Sequence, residues 1–200
     1  MFCGALDNRS VECKMEPEMT TADVDQAAVN QVLELRFKHF DTNRDGRIDR
    51  SDFKQEAIDI IRALGEELDS PHARAVIDSY VTLYDYMARK AGVDDEGFSP
   101  AAFLATFNTV IIDRGDVGFH QVVRPAAHAV AALCDSDGDG KISHEEFSKC
   151  FTAVSGATIA DTEESFKQID VNKDGVVSID EFIEAIKTYF FGGEHLKLLV

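Results

Sequence analysis

Three stretches of the chain place oxygen-bearing side chains at the first, third, fifth, ninth and twelfth positions around a glycine at the sixth: DTNRDGRIDRSD at 41–52, DSDGDGKISHEE at 135–146 and DVNKDGVVSIDE at 170–181. Aspartate, asparagine and glutamate at this density supply hard oxygen donors, so the chemistry within their reach is to hold an oxygen-seeking divalent cation. Calcium takes about six to eight oxygens at about 2.3–2.6 Å. Alternate positions of a tightly turning loop aim their carboxylates at one point, while the seventh position offers its backbone carbonyl. Gly46, Gly140 and Gly175 stand where the chain must double back, a bend that a residue without Cβ makes at positive φ. The eighth position is apolar each time, Ile48, Ile142 or Val177, and a phenylalanine follows the twelfth.

This is the EF-hand calcium loop, and it aligns three times without a gap. Helical spacing flanks the loops. Val29, Val32, Leu33, Phe37 and Phe40 precede the first, and Phe53, Ile60, Ile61 and Leu64 follow it; Phe166 and Ile169 precede the last, and Phe182, Ile183, Ile186 and Phe190 follow it. A fourth unit is degraded. AGVDDEGFSPAAF at 91–103 keeps Phe98 at the eighth position and Phe103 after the twelfth, but has Ala91, Val93 and Ala102 where ligands belong. Ser99 followed by Pro100 is a helix start, with a capping oxygen and a proline whose missing N–H costs nothing there.

A single helix-loop-helix leaves its apolar side uncovered, so the units must pack in pairs. The expected fold is all-α: two packed EF-hand pairs, four units with the second vestigial, in one compact globule. Residues 1–25 form an N-terminal tail, 26–112 the first pair, and 113–200 the second pair with a C-terminal tail.

The first loop running into RSDF, the long spacer, the vestigial unit after YDYMARKAGV, the run FHQVVRPAAHAVAALCDSDGDG and the ending YFFGGEHLKLLV together resemble the sarcoplasmic calcium-binding protein group. The likeness runs from about residue 28 onward. It implies calcium at the first, third and fourth loops and a cytoplasmic buffer or transporter. Carried over by position, the first site would use Asp41, Asn43, Asp45, the Arg47 carbonyl, Asp49 and Asp52. The third would use Asp135, Asp137, Asp139, the Lys141 carbonyl and Glu146, with Ser143 near a bound water. The fourth would use Asp170, Asn172, Asp174, the Val176 carbonyl and Glu181, with Ser178 in the same place as Ser143.

Two other binding roles compete with the buffer. A calcium sensor opens a pliable, methionine-lined groove for a target helix. Three of the four methionines, Met1, Met15 and Met19, lie in the tail, and fourteen phenylalanines suggest a fixed core instead. Calcium-regulated photoproteins and luciferin-binding proteins resemble this four-hand layout and enclose an apolar cavity. The absence of tryptophan argues against light emission, while an apolar cavity between the halves stays compatible with the Phe-rich interior.

An enzyme has no positive sign. His39, His72, His120, His128, His144 and His195 form no HExxH or ligand pattern, and neither a phosphate-cradling loop ending in lysine nor a GxSxG elbow occurs. The net charge of −17 and pI near 4.6 favour cations as partners and argue against nucleic acid and anionic membrane. The start MFCGALDNRSVECKMEPEMT lacks a basic-then-apolar leader, and no apolar run is long enough to span a membrane. Cys3, Cys13, Cys134 and Cys150 have no CxxC spacing, so reduced thiols in a cytoplasm are the expectation, with Cys134 and Cys150 buried; a monomer is expected, with any protein partner left open. Pro125 predicts a helix break, read as an ordinary junction of two helices, and the apolar HLKLLV end is expected to dock on its own core.

The twelfth position separates the loops. Glutamate reaches calcium with both oxygens, whereas Asp52 is one methylene shorter and tends to offer one, which favours a six-oxygen shell and admits Mg2+. Arg44, Arg47 and Arg50 should weaken the field of that loop modestly, because exposed charges are screened.

Overall fold

The structure is a computed structural model and describes residues 25–93, 96–155 and 159–192. The N-terminal tail with Cys3 and Cys13, and the HLKLLV end with His195, lie outside the described residues. The chain is all-α apart from one small sheet, in the order α1 (Gln26–Phe40), α2 (Arg50–Ala63), α3 (Pro71–Ala91), α4 (Pro100–Val110), a 3-10 turn (Ile112–Arg114), α5 (Gly115–Val122), α6 (Arg124–Cys134), β1 (Lys141–Ser143), α7 (His144–Ser155), α8 (Ile159–Ile169), β2 (Val176–Ser178) and α9 (Ile179–Phe190).

Each metal-type loop lies between two helices whose ends its own residues define. Asp49 is the N-cap of α2 and makes a capping box with Asp52, and Ser178 does the same for α9 with Glu181. The last ligand-type residues of a loop are thus also the first turn of the next helix. Ser70 before Pro71 and Ser99 before Pro100 start α3 and α4 by the expected cap-and-proline device. Pro125 lies in the first turn of α6, separated from α5 by Val123, which is a junction of two helices and not a kink in one.

The pairing is visible at the eighth position of every unit. Ile142 faces Val177 in the antiparallel pair β1–β2, and Ile48 faces Phe98 in an isolated antiparallel bridge, with N–O distances of 2.9 and 2.8 Å. All four side chains are fully buried. The degraded unit therefore keeps the backbone contact that makes a pair.

Aromatic packing forms the core. Phe40 stacks on Phe53 with centroids 4.2 Å apart, and Phe103 meets Phe37, Phe40 and Phe98 edge-on. Phe107 of α4 stacks on Phe190 of α9 at 5.1 Å and so joins the two halves. Burying one such side chain stabilises the fold by about 1.5–3 kcal/mol. Between the halves this packing leaves a cavity of about 90 Å³.

One expectation is corrected. Cys134 and Cys150 are not reduced thiols but a disulfide, with Cα atoms 5.8 Å apart. They are as buried as expected, at 4% and 3% exposure. The reason is tertiary: α6 enters and α7 leaves the third loop, and their core-facing sides bring two residues separated by 16 positions together. The five described histidines, His39, His72, His120, His128 and His144, are exposed.

Candidate metal centre

The three loops repeat one ladder of hydrogen bonds. At the first position, Asp41 accepts from the backbone N–H of Asp45 and of Gly46, both at 3.0 Å. Asp135 accepts from Gly138, Asp139 and Gly140 at 2.9–3.1 Å, and Asp170 from Asp174 and Gly175 at 3.1 and 3.0 Å. The third-position oxygen of Asn43, Asp137 or Asn172 accepts from the fifth-position N–H at 2.8, 3.1 and 2.8 Å. The fifth-position carboxylate of Asp45, Asp139 or Asp174 accepts from the seventh-position N–H at 2.8, 2.8 and 3.1 Å. These bonds hold the first, third and fifth side chains against the backbone of their own turn in each loop.

The turn itself uses two positive-φ residues per loop. Gly46, Gly140 and Gly175 take φ of 83–87° at the sixth position. The fourth position is also left-handed: Arg44 and Lys173 at φ 61° and Gly138 at 72°. The glycine at 138 removes strain that Arg44 and Lys173 bear, a loop requirement that the side-chain alternation did not reveal.

The twelfth-position carboxylates fold back on the loop in a way that depends on their length. Glu146 accepts from the Ser143 N–H and hydroxyl at 2.9 and 2.8 Å with one oxygen, and from the Ser136 N–H and hydroxyl at 2.9 and 2.8 Å with the other. Glu181 accepts from the Ser178 N–H and hydroxyl at 2.9 and 2.8 Å, and from the Asn172 N–H at 3.4 Å. Asp52 still completes the capping box with the Asp49 N–H at 2.9 Å, but it meets the second position only through the Thr42 hydroxyl, at 2.8 Å. The shorter side chain reaches the second-position hydroxyl but makes no bond to the backbone N–H there, which Glu146 does. Asp52 is 1% exposed. The ninth-position oxygens of Asp49, Ser143 and Ser178 all accept from backbone N–H groups of the following first turn, at 2.6–3.3 Å.

The electrostatics fit a cation. Asp135, Asp137 and Asp139 bring carboxylate oxygens within 4.8 Å of one another. The Asp139 N–H favours the charged form of Asp137, yet desolvation and the neighbouring carboxylates of Asp139 and Glu146 push its carboxyl up on balance. A divalent ion would relieve that repulsion. Desolvation opposes ionisation of Glu146, but the Ser143 and Ser136 donors outweigh it and hold the group down at about 2. The Ser51 hydroxyl, with the N–H groups of Ser51 and Asp52, keeps the Asp49 carboxyl below the usual carboxylate range against desolvation. Glu146 and Asp49 are therefore anionic at neutral pH before any ion arrives.

The vestigial loop contains a cation of another kind. The Arg47 guanidinium reaches across the pair and donates from Nη2 to the Gly97 carbonyl at 2.7 Å and from Nε to the Glu96 carbonyl, with the Glu96 carboxylate 3.7 Å away. It gathers backbone oxygens of a loop that has no ligand set of its own. Arg50 is likewise engaged, by Asp85 at 2.9 Å. Two of the three arginines expected to weaken the field of the first loop modestly, Arg47 and Arg50, thus also have acceptors outside it. Gly97 takes φ 76° at the seventh position, and a Cβ there would lie 2.3 Å from the Ile48 carbonyl oxygen.

Comparison with known proteins agrees with this geometry. Residues 132–187 match the EF-hand domain pair family and residues 32–57 the EF-hand domain family. The chain is 30% identical over 174 residues to calerythrin of Saccharopolyspora erythraea, covering 86% of this chain and 98% of that protein. It is 31% identical over 121 residues to the sarcoplasmic calcium-binding protein of Penaeus sp., covering 52% and 60%. Among solved structures it is similar to a Streptomyces coelicolor calcium-binding protein described in the context of prokaryotic calcium-mediated regulation, at 27% identity and a TM-score of 0.64, covering 82% of this chain and 98% of that one.

Proposed function

The chain belongs to the family of EF-hand calcium-binding proteins that includes calerythrin, and from that premise we propose that it is a calcium buffer or transporter with three metal sites. It is a binding protein and not an enzyme. The observation that supports the reading is the common hydrogen-bond ladder of the loops at 41–52, 135–146 and 170–181, in which the same side chains of each loop accept from backbone N–H groups of their own turn. The ligands are those named by position, from Asp41 to Asp52, Asp135 to Glu146 and Asp170 to Glu181.

The buffer reading, over a target-gripping sensor, is supported by how the helices are held. Sensors open a methionine-rich groove on binding calcium. Met87, the methionine among the described residues, is fully buried. Phe107 against Phe190 ties one half to the other, and the disulfide ties α6 to α7 across the third loop. At the first site Asp52 offers a shorter arm, and the site takes Mg2+ as well as Ca2+. Among the described residues no helix is long and apolar enough to cross a membrane.

Isothermal titration of the full chain, and of Asp41→Ala, Asp135→Ala and Asp170→Ala, tests the site count. Three calcium ions bind the wild type, and each substitution removes one. Two ions bound by the wild type, with Asp41→Ala unchanged, would take the first loop out of the set. A large rise of an apolar-surface dye on calcium saturation would overturn the buffer role.

A further inference from the structure

The disulfide frames the third loop. Cys134 is the last residue of α6 and stands directly before Asp135, the first ligand position, while Cys150 lies on α7 one helical turn beyond Glu146, the twelfth. The ring that the bond closes therefore contains the whole ligand set of that loop. The corresponding positions hold Phe40 and Glu56 around the first loop, and Ile169 and Ala185 around the fourth. Of the three intact loops, the third alone has such a clasp.

Without an ion, the charges of this loop oppose its closed shape. Asp135, Asp137 and Asp139 bring carboxylate oxygens within 4.8 Å of one another, and Glu146 adds a fourth acidic group. Their repulsion favours an open loop, which requires the entering and leaving helices to change their mutual angle. The β1–β2 pairing restrains Lys141–Ser143 but not the two ends of the loop. The disulfide restrains those ends, with the two Cα atoms 5.8 Å apart. We infer that Cys134–Cys150 is a thiol–disulfide modification site that sets the calcium affinity of the third loop, tighter when oxidised and weaker when reduced by a dithiol, which presupposes the calcium site proposed above for residues 135–146.

The oxidised loop is pre-organised, so less of the binding energy is spent on closing it. In the reduction, one thiolate of the dithiol attacks a sulfur of the pair and forms a mixed disulfide. Its other thiolate then attacks its own sulfur in that bond and releases the second cysteine. The dithiol loses two electrons and two protons, and Cys134 and Cys150 gain them as two thiols. Both cysteines are buried, so the attack needs α6 and α7 to part. Calcium, which ties Asp135 to Glu146, opposes that parting and protects the pair. Linkage makes the two effects equal: the factor by which oxidation tightens calcium is the factor by which calcium resists reduction.

The test takes the full chain, labelled with ¹⁵N, through a calcium titration against a chelator, with and without dithiothreitol. The amides of Gly46, Gly140 and Gly175 each donate to the first carboxylate of their own loop, so each reports its own site. On reduction the calcium midpoint of Gly140 rises about tenfold. That of Gly175, across the strand pair, rises less, and that of Gly46 stays in place. Cys134→Ser/Cys150→Ser binds as the reduced wild type does and ignores dithiothreitol, which excludes Cys3 and Cys13 as the source. The ratio of dithiothreitol to its disulfide that reduces half of the pairs, read by alkylation and mass spectrometry, is about tenfold higher with calcium than without. A Gly140 midpoint unchanged by reduction, equal shifts at all three glycines, or a half-reduction ratio indifferent to calcium would each overturn the inference and leave the third site standing. No calcium response of Gly140 in either redox state would instead remove the third site, and the inference with it.

Discussion

In the second half, the loops at 135–146 and 170–181 face each other through Lys141–Ser143 and Val176–Ser178, and both have the same ladder of hydrogen bonds. In the first half, Ile48 and Phe98 make the same backbone contact although one partner has no ligand set. The difference teaches that pairing and ion binding are separable properties of this fold. Pairing needs a buried apolar residue at the eighth position and an exchange of two backbone hydrogen bonds. In the loop without a ligand set a positive group from across the pair, Arg47, collects the backbone carbonyls. The bend has moved as well, from the sixth-position glycine of the metal loops to Gly97 at the seventh.

That comparison can be broken at the vestigial loop. Gly97→Ala places a Cβ against the Ile48 carbonyl at a positive φ. It is expected to destabilise the protein by about 3 kcal/mol or more, read by chemical denaturation. A change within experimental error would show that the Ile48–Phe98 contact does not hold the first pair. The second half has its own restraint, the disulfide. Cys134→Ser/Cys150→Ser, or reduction of the wild type, is expected to lower stability by about 3 kcal/mol, as closure of a loop of this length predicts. The denaturation midpoint of the double variant should then be indifferent to added reductant, while that of the wild type should fall.

Arg47 and Lys141 occupy the same loop position in the two halves, and they sharpen the contrast on a smaller scale. Arg47→Ala leaves the Gly97 carbonyl without its side-chain donor and is expected to cost about 1–2 kcal/mol. Lys141 is exposed, and Lys141→Ala should stay within about 0.5 kcal/mol. Equal costs at the two positions would remove the argument that Arg47 stands in for an ion. A further effect concerns selectivity and not stability. Asp52→Glu should raise the preference of the first site for calcium over magnesium by about tenfold, and Glu146→Asp should lower that of the third by as much. Titration of calcium with and without millimolar magnesium reads both. Calcium binding of the wild type that is unchanged at saturating magnesium would exclude a mixed first site.

Much of this was legible in the sequence because an ion-binding loop writes its geometry in residue types. The alternation of oxygens, the sixth-position glycine and the apolar eighth position are local constraints, so Asp135, Asp137 and Asp139 could be placed together from spacing alone. The alignment of Phe98 with Ile142 and Val177 followed from the same logic and is realised in the Ile48–Phe98 bridge. Arg36 was not legible. It sits three positions after Leu33 and four before Phe40, at an inward position of an otherwise apolar stripe, and the polarity of its side chain masked its burial. Thr42 and Ser136 were missed because second-position residues alternate outward in the ligand pattern, yet they are the donors that hold Asp52 and Glu146.

The sequence by itself determined the helix-loop-helix units, the capping that starts each following helix, and the order of one intact loop pattern, one vestigial pattern and two intact patterns, because those depend on interactions within about a dozen residues. Only the tertiary structure decided what lies across the gaps between units. It brought Cys134 to Cys150 as a bonded pair, turned Arg47 away from its own loop toward Glu96 and Gly97, and set Arg36 and Glu56 against a cavity bounded by both halves. The physical reason is that the fate of a thiol or a guanidinium depends on which acceptor or partner packing brings within reach, and residues far apart in the chain supply those partners.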